Sequence, residues 1–194
     1  MTPLAPRPDT MEFLLTRRSR PAKTLAEPAP DRAAMEPILT AALRVPDHGK
    51  LEPWRLIVLE RAALDRLAGL TARLGAERGM PPEKLAKEQA MFRDAPLIVA
   101  VVASPADSEK VPEVEQTLSA GAVCLSLVNA AMASGWGANW LTGWTALDRT
   151  WLDDGLDLGP REWVAGFIVI GTETTVPSDR PRPDLSARAD WRDA

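Results

Sequence analysis

Arg17, Arg18 and Ser19 stand together ahead of Pro21. Two guanidinium groups and a hydroxyl within three residues suit a phosphate, because Arg presents its donors in a fork matched to phosphate oxygens. The plainer local reading is a solvated basic helix end meeting the negative end of the helix dipole. His48, the chain's one histidine, lies in the turn Pro46-Asp47-His48-Gly49, close after Arg44. A lone His is more often structural than catalytic, yet turns are where binding residues concentrate. These polar groups converge on an anionic ligand only if the fold brings distant loops together.

Other chemistries find little support. A metal site built on nitrogen and sulfur needs several His or Cys, and the chain has one of each. Asp153-Asp154-Gly155-Leu156-Asp157 opens like a calcium loop but lacks its closing Glu. Gly135-Trp136-Gly137 begins like a dinucleotide fingerprint, but Trp140 stands where the third glycine is required. There is no Walker loop and no Gly-x-Ser-x-Gly elbow. Cys124 sits in an apolar stretch, where a thiol is an inert packing group. A net charge of -4 argues against nucleic acid as the partner.

The elements that must hold these residues follow from the pattern. Asp9 or Thr10 is expected to cap a short helix through Arg18, and Asp31 one to about Arg44 in which Pro37 forces a late start or a kink. Trp54 to Glu60 reads as a strand, and Leu64, Leu67, Thr71 and Leu74 mark a helix closed by Gly79. Pro81-Pro82 opens another. Leu97 to Ala103 is an unbroken, β-branched apolar run, hence a central strand covered on both faces. From Gln116 to Leu147 there is no Asp, Glu, Lys or Arg in a chain with 26% charged residues. That stretch predicts a buried helix ending at Gly135 and a strand from Ala138 to Leu141. Asp148 and Pro160 are expected to start short helices, and Trp163 to Ile170 is the last strand.

The expectation is one α+β domain over residues 1–194, a mixed sheet covered by helices, with a loose arm at 1–8 and an extended arm at 176–194. The uncharged stretch is long enough to span a bilayer, which takes ~20 residues. Ser119, Ser126, Asn129 and Ser134 inside it, and the absence of flanking basic clusters, favour a protein core. One cysteine excludes an internal disulfide, and the first ten residues carry no apolar run of signal type, so a cytoplasmic location is expected.

Taken in order, several short motifs resemble the flavin-dependent nitroreductases, closest to their small YdjA-like branch. They are Arg17-Arg18-Ser19, Arg44-x-Pro46-Asp47-His48 with Pro53-Trp54, and Ala95-Pro96 before the apolar strand. Lys110-Val111-Pro112 with Glu115-Gln116 and Ser119-Ala120-Gly121 follow. Trp140-x-Thr142-Gly143, Gly166-Phe167 and Gly171-Thr172 complete the set. The resemblance implies an α+β fold and an intertwined homodimer with two FMN molecules at the interface. It implies that Arg17, Arg18 and Ser19 hold the flavin phosphate and ribityl end, and that Arg44 and His48 reach the flavin from the other subunit. Trp140, Leu141 and Thr142 would line the isoalloxazine, with backbone amides near N5. Ala130, Ala131, Met132, Ala133, Ser134 and Gly135 match the segment assigned to the nicotinamide donor, NADH or NADPH. The long apolar helix would lie along the dimer axis.

The implied activity is ping-pong hydride transfer from NAD(P)H through FMN to a nitroaromatic, quinone or similar acceptor. The alternatives are a specialised flavin dehydrogenase or oxidase acting on one metabolite, and a non-catalytic flavin-binding dimer. No catalytic side chain is expected, because the cofactor carries the chemistry. Three features depart from the family pattern. Glu52 replaces a Gln and calls for Lys50 or Arg55 to offset its charge. Pro21 occupies a place where other members carry Lys, leaving Arg20, Lys23 or Arg44 to supply that charge. Arg180 and Arg182 resemble late phosphate-touching residues of larger relatives.

Overall fold

A computed structural model describes residues 3–193. Its centre is β3, Leu97–Ala103, buried along its whole length as the apolar run predicts. β-strand side chains alternate between faces. Ile98, Ala100 and Val102 therefore join one hydrophobic cluster, while Leu97, Val99 and Val101 join another. On one side of β3 runs β2, Trp54–Leu59, and on the other β5, Trp163–Glu173. The far edge of β5 carries two short strands end to end: β4, Gly137–Leu141, opposite Gly171 to Phe167, and β1, Leu25–Ala26, opposite Glu173 and Thr172.

Every strand pair among the described residues is antiparallel, so the sheet is not mixed as expected. The cause lies in the connections. Two helices, α3 (Arg61–Glu77) and α4 (Pro82–Arg93), join β2 to β3 and return the chain to the end of the sheet it left. The single helix α5, Glu113–Ala133, carries it from β3 to β4, which run parallel but with β5 between them.

Helices cover both faces. α3, α4 and α6 (Arg149–Leu156) pack on one, where Phe92, Trp151 and Phe167 meet with ring centroids 5.1 to 5.8 Å apart. α2 (Arg32–Ala42) and α5 cover the other. Asp31 caps α2 by accepting the amide of Ala34 at 2.8 Å, and Asp148 caps α6 through Trp151. Pro37 is accommodated inside α2 without interrupting it. α5 closes in a Schellman motif: Gly135, at φ +86, donates to the Met132 carbonyl and Trp136 to Ala131.

Several boundaries move. α1 spans Pro8–Thr16, because Pro at the first helical position brings a preset φ; Asp9 and Thr10 lie inside the helix and do not cap it. Within the expected N-terminal arm, residues 1 and 2 lie outside the described residues, and Pro8 already belongs to α1. Pro160 opens no helix but a turn into β5. The two-residue β1 carries too little pattern to be read from sequence. Beyond β5 the chain forms no strand through residue 193 and holds one 3-10 turn, Leu185–Ala187; residue 194 lies outside the described residues.

α5 is not buried all round. One face packs on the sheet and α2, but Val114, Leu118 and Leu125 remain 62%, 68% and 48% exposed. Leu118 and Leu125, with Trp140 and Trp163, line an open apolar surface.

Candidate functional site

Arg17, Arg18 and Ser19 follow α1 in a loop stitched to the edge of β4. The amide of Arg20 donates to the Ala138 carbonyl at 2.9 Å, and the Asn139 side-chain amide donates to the Arg20 carbonyl at 2.6 Å. The loop thereby faces a pocket of about 380 Å³ lined also by Pro21, Asn139, Trp140, Arg180 and Arg182. Four arginines from the two ends of the chain thus meet at one strand. The late pair, Arg180 and Arg182, therefore belongs with the early pair; Arg182 reaches the Arg17 carbonyl at 3.5 Å and Asp179 at 3.0 Å.

The donors of this pocket are incompletely used. Arg17 Nη2 donates to Ser19 Oγ at 3.0 Å, but Arg17 Nε and Arg18 Nη1 are buried with no partner. Burial, then the charges of Arg182 and Arg20, hold the Arg17 guanidinium below its ordinary pKa. Orphaned buried donors normally cost on the order of 1–3 kcal/mol each. A site that gathers like charges and leaves donors unpaired is built for an anion with several acceptor oxygens. Buried, unpaired donors set this loop apart from a fully solvated basic helix end.

β4 supplies the adjoining wall. The Ala138 carbonyl points away from β5, toward Arg20. Backbone groups two residues apart on a strand share an edge, so those of Trp140 lie on the same free edge, and Thr142 follows directly after the strand. No backbone carbonyl among the described residues accepts the Thr142 amide. The Trp140 side chain turns toward α5, donating through Nε1 to the Ala165 carbonyl at 3.1 Å. Gly166 makes that seat possible: a Cβ there would collide with the indole and lie 2.9 Å from Cys124 Sγ. Leu141 points the opposite way, packing against the α3 and α4 face beside Met91 and Ala95. Only its backbone can share a ligand with Trp140.

Arg44 and His48 are not brought into this pocket. His48 Nδ1 lies 2.8 Å from Glu115 in the first turn of α5, whereas the arginine loop is tied to the strand that follows the helix's other end. Ser119 anchors the turn, accepting from Trp54 Nε1 at 3.0 Å and donating to the Pro46 carbonyl at 2.7 Å. The turn is strained: Gly49, Lys50 and Glu52 all have positive φ, held by Asp47 accepting the amides of Leu51 and Glu52. Glu52 is exposed, and Arg55 does not offset it, because Arg55 is bound bidentately by Glu162 at 2.7 and 2.8 Å. That pairing, with the Gly159 amide, pulls the Glu162 carboxyl down to about 2. Arg20 is likewise committed, to Glu173 at 3.0 Å, and Lys23 lies on the Leu141 side of the sheet.

Ala130 to Gly135 form the C-terminal end of α5 and its cap. Ala131 is fully buried, while Ala130 and Ala133 line a groove beneath Phe13 and Leu14 of α1. A helix C-terminus carries partial negative charge and does not favour a phosphate-bearing donor. Cys124 is fully buried, and burial pushes its thiol up to about 12, so it is inert as expected. Among the described residues no group of His, Cys, Asp or Glu could hold a metal ion.

The chain is similar in sequence and fold to known proteins. The Nitroreductase family profile matches residues 14–172. YdjA of Escherichia coli K12, provisionally named an NAD(P)H nitroreductase, is 34% identical over 165 residues, covering 84% of this chain and 88% of that protein. A Haemophilus influenzae protein of the same provisional name is 37% identical over 166 residues, with the same coverage. A nitroreductase-like family protein from Bacillus cereus superposes with a TM-score of 0.77 at 20% identity, covering 100% of both chains. A nitroreductase with bound FMN from Bacteroides fragilis gives 0.72 at 17% identity, covering 95% of this chain and 99% of that one.

Proposed function

The chain belongs to the Nitroreductase family, and from that premise we propose that it is an FMN-dependent NAD(P)H oxidoreductase. The observation that carries this reading is the pocket in which unpaired buried guanidinium nitrogens of Arg17 and Arg18 stand beside the free edge of β4. Arg17, Arg18 and Ser19, with Arg180 and Arg182, hold the phosphate. Trp140 and the backbone of Leu141 and Thr142 border the ring, and the Thr142 amide is the donor available to N5. When bound, FMN supplies the redox chemistry, accepting hydride from NADH or NADPH and reducing a nitroaromatic or quinone in turn.

The chain's own residues bind, orient and shield. Preorganised cations at the phosphate end cost no rearrangement on binding. The donor and the acceptor alternate on the same open ring face, so neither needs a dedicated dinucleotide fold. Ala130–Gly135 supports that face from behind, by ending α5 where β4 begins, and is not assigned a direct donor contact.

The site is completed by a second copy. Arg44 and His48 lie apart from the pocket within one chain, and Val114, Leu118 and Leu125 leave an apolar stripe on α5. Pairing α5 with its counterpart buries that stripe and carries the partner copy's turn, with its arginine and histidine, to the flavin. The homodimer is accordingly the functional unit, operating in the cytoplasm. Purification tests the proposal: the protein should be yellow or take up FMN, and NADH or NADPH should bleach it anaerobically. A colourless protein that binds no FMN sinks it, and a flavoprotein bleached by neither donor is a binding dimer, not an enzyme.

A further inference from the structure

Gly143 stands two residues past the end of β4 and adopts φ 120, ψ -176, a region open essentially to glycine alone. What lies against it is a carboxylate. A Cβ on Gly143 would sit 3.0 Å from Oε2 of Glu88 and 4.0 Å from its Oε1. Glu88 projects from α4 and is half-buried. Burial raises its pKa; Lys84, one turn earlier on the same helix, is the one charged group that counters this, and no hydrogen bond contributes. Glu162, also drawn out of water, is held by an arginine. Among the described residues Glu88 has no hydrogen-bonding partner, and it rests against Gly143 just beyond the end of β4.

We propose that Glu88 is a specificity-determining residue that makes the ring face of this site reject anionic aromatic ligands in favour of neutral ones. The inference rests on the assignment of the β4 edge to the flavin ring. It follows from position and charge. A ligand stacked at that edge meets a carboxylate held in a partly desolvated setting, where like charges repel more strongly than in bulk water. Neutral nitroaromatics and quinones escape that repulsion, whereas an aromatic carboxylate of the same size does not. The geometry of Gly143 keeps the carboxylate close, since any side chain there would push it away.

The test uses the FMN-loaded protein without turnover. Benzoate and benzamide, alike in shape and different in charge, are titrated while the absorbance of the oxidised flavin is followed, at a mildly alkaline pH where the carboxylate is charged. Glu88→Gln should tighten benzoate by about tenfold, the size of a modest surface charge interaction. Benzamide should move by less than about twofold, well below one such interaction. Glu88→Asp, which keeps the charge, should retain the discrimination. Benzoate no tighter in Glu88→Gln, or tightened equally with benzamide, overturns the assignment. Failure of the wild-type chain to take up FMN overturns the cofactor reading instead, and is visible before either probe is added.

Discussion

Replacing Arg17 by Met separates a ligand-binding role from a structural one. The change keeps most of the side-chain stem and removes the charge. In the protein without ligand, Arg17 is partly desolvated, is repelled by Arg182 and Arg20, and leaves Nε unpaired. Its one side-chain bond, to Ser19 at 3.0 Å, offsets little of this. Arg17→Met should therefore leave the melting temperature of the apoprotein unchanged or slightly higher. With FMN the balance reverses, because a charge-assisted hydrogen bond to phosphate is lost. Such bonds are worth about 1.5–3 kcal/mol. At about 1.4 kcal/mol per factor of ten, FMN should bind roughly 10- to 150-fold more weakly. Titrating the apoprotein against FMN fluorescence gives the affinity, and calorimetry gives the melting temperature. Unchanged affinity removes Arg17 from the site. A clear fall in apoprotein melting temperature shows that the residue braces the loop and that the repulsion inferred here is compensated.

Two further outcomes follow from the same structure. Leu118 is 68% exposed on α5; if a symmetric interface buries it, Leu118→Glu acts twice per dimer, each copy losing about 1.5–3 kcal/mol of burial. Light scattering should then report a monomer with weakened FMN retention, and a wild-type chain that is already a flavin-loaded monomer refutes the interface. Glu162 is held at about 2 first by its bonds to Arg55 and then by the Gly159 amide. A depressed folded pKa means the stability it contributes is present above the unfolded carboxylate value, near ~4.3, and fades as pH falls toward the folded value. Urea melts should show wild type more stable than Glu162→Gln at neutral pH, with the gap closing below roughly pH 4. A gap that is independent of pH refutes the ion pair as its source.

The candidate site was legible in the sequence where chemistry is local. Arg17-Arg18-Ser19 keeps two guanidinium groups and a hydroxyl together in any conformation, and Trp140-x-Thr142-Gly143 sits beside a recognisable helix end. Arg180 and Arg182 join the cluster because the chain beyond β5 returns past the loop after α1, a contact with no local signal. Glu88 escaped the reading altogether. A Glu on an amphipathic helix gives no sign that a glycine more than fifty residues later will rest against it. The offset assigned to Arg55 failed for the same reason, since its partner Glu162 is adjacent only in space.

The sequence by itself determined the elements whose signal is periodic or compositional. The apolar run became β3, the Asp31 and Asp148 caps formed, Gly135 closed α5, and Leu64, Leu67, Thr71 and Leu74 turned inward. These follow from backbone propensity and the burial of apolar surface, which act over a few residues. Only the tertiary structure decided which neighbours the strands take, that β5 lies between β3 and β4, and that every pairing is antiparallel. Those outcomes depend on where two connecting helices return the chain, a property of packing over the whole sheet. The placement of four arginines against one strand edge, the separation of Arg44 and His48 from them, and the carboxylate beside Gly143 have the same origin. Side chains distant in sequence acquire a common chemistry only when the core fixes the distance between them.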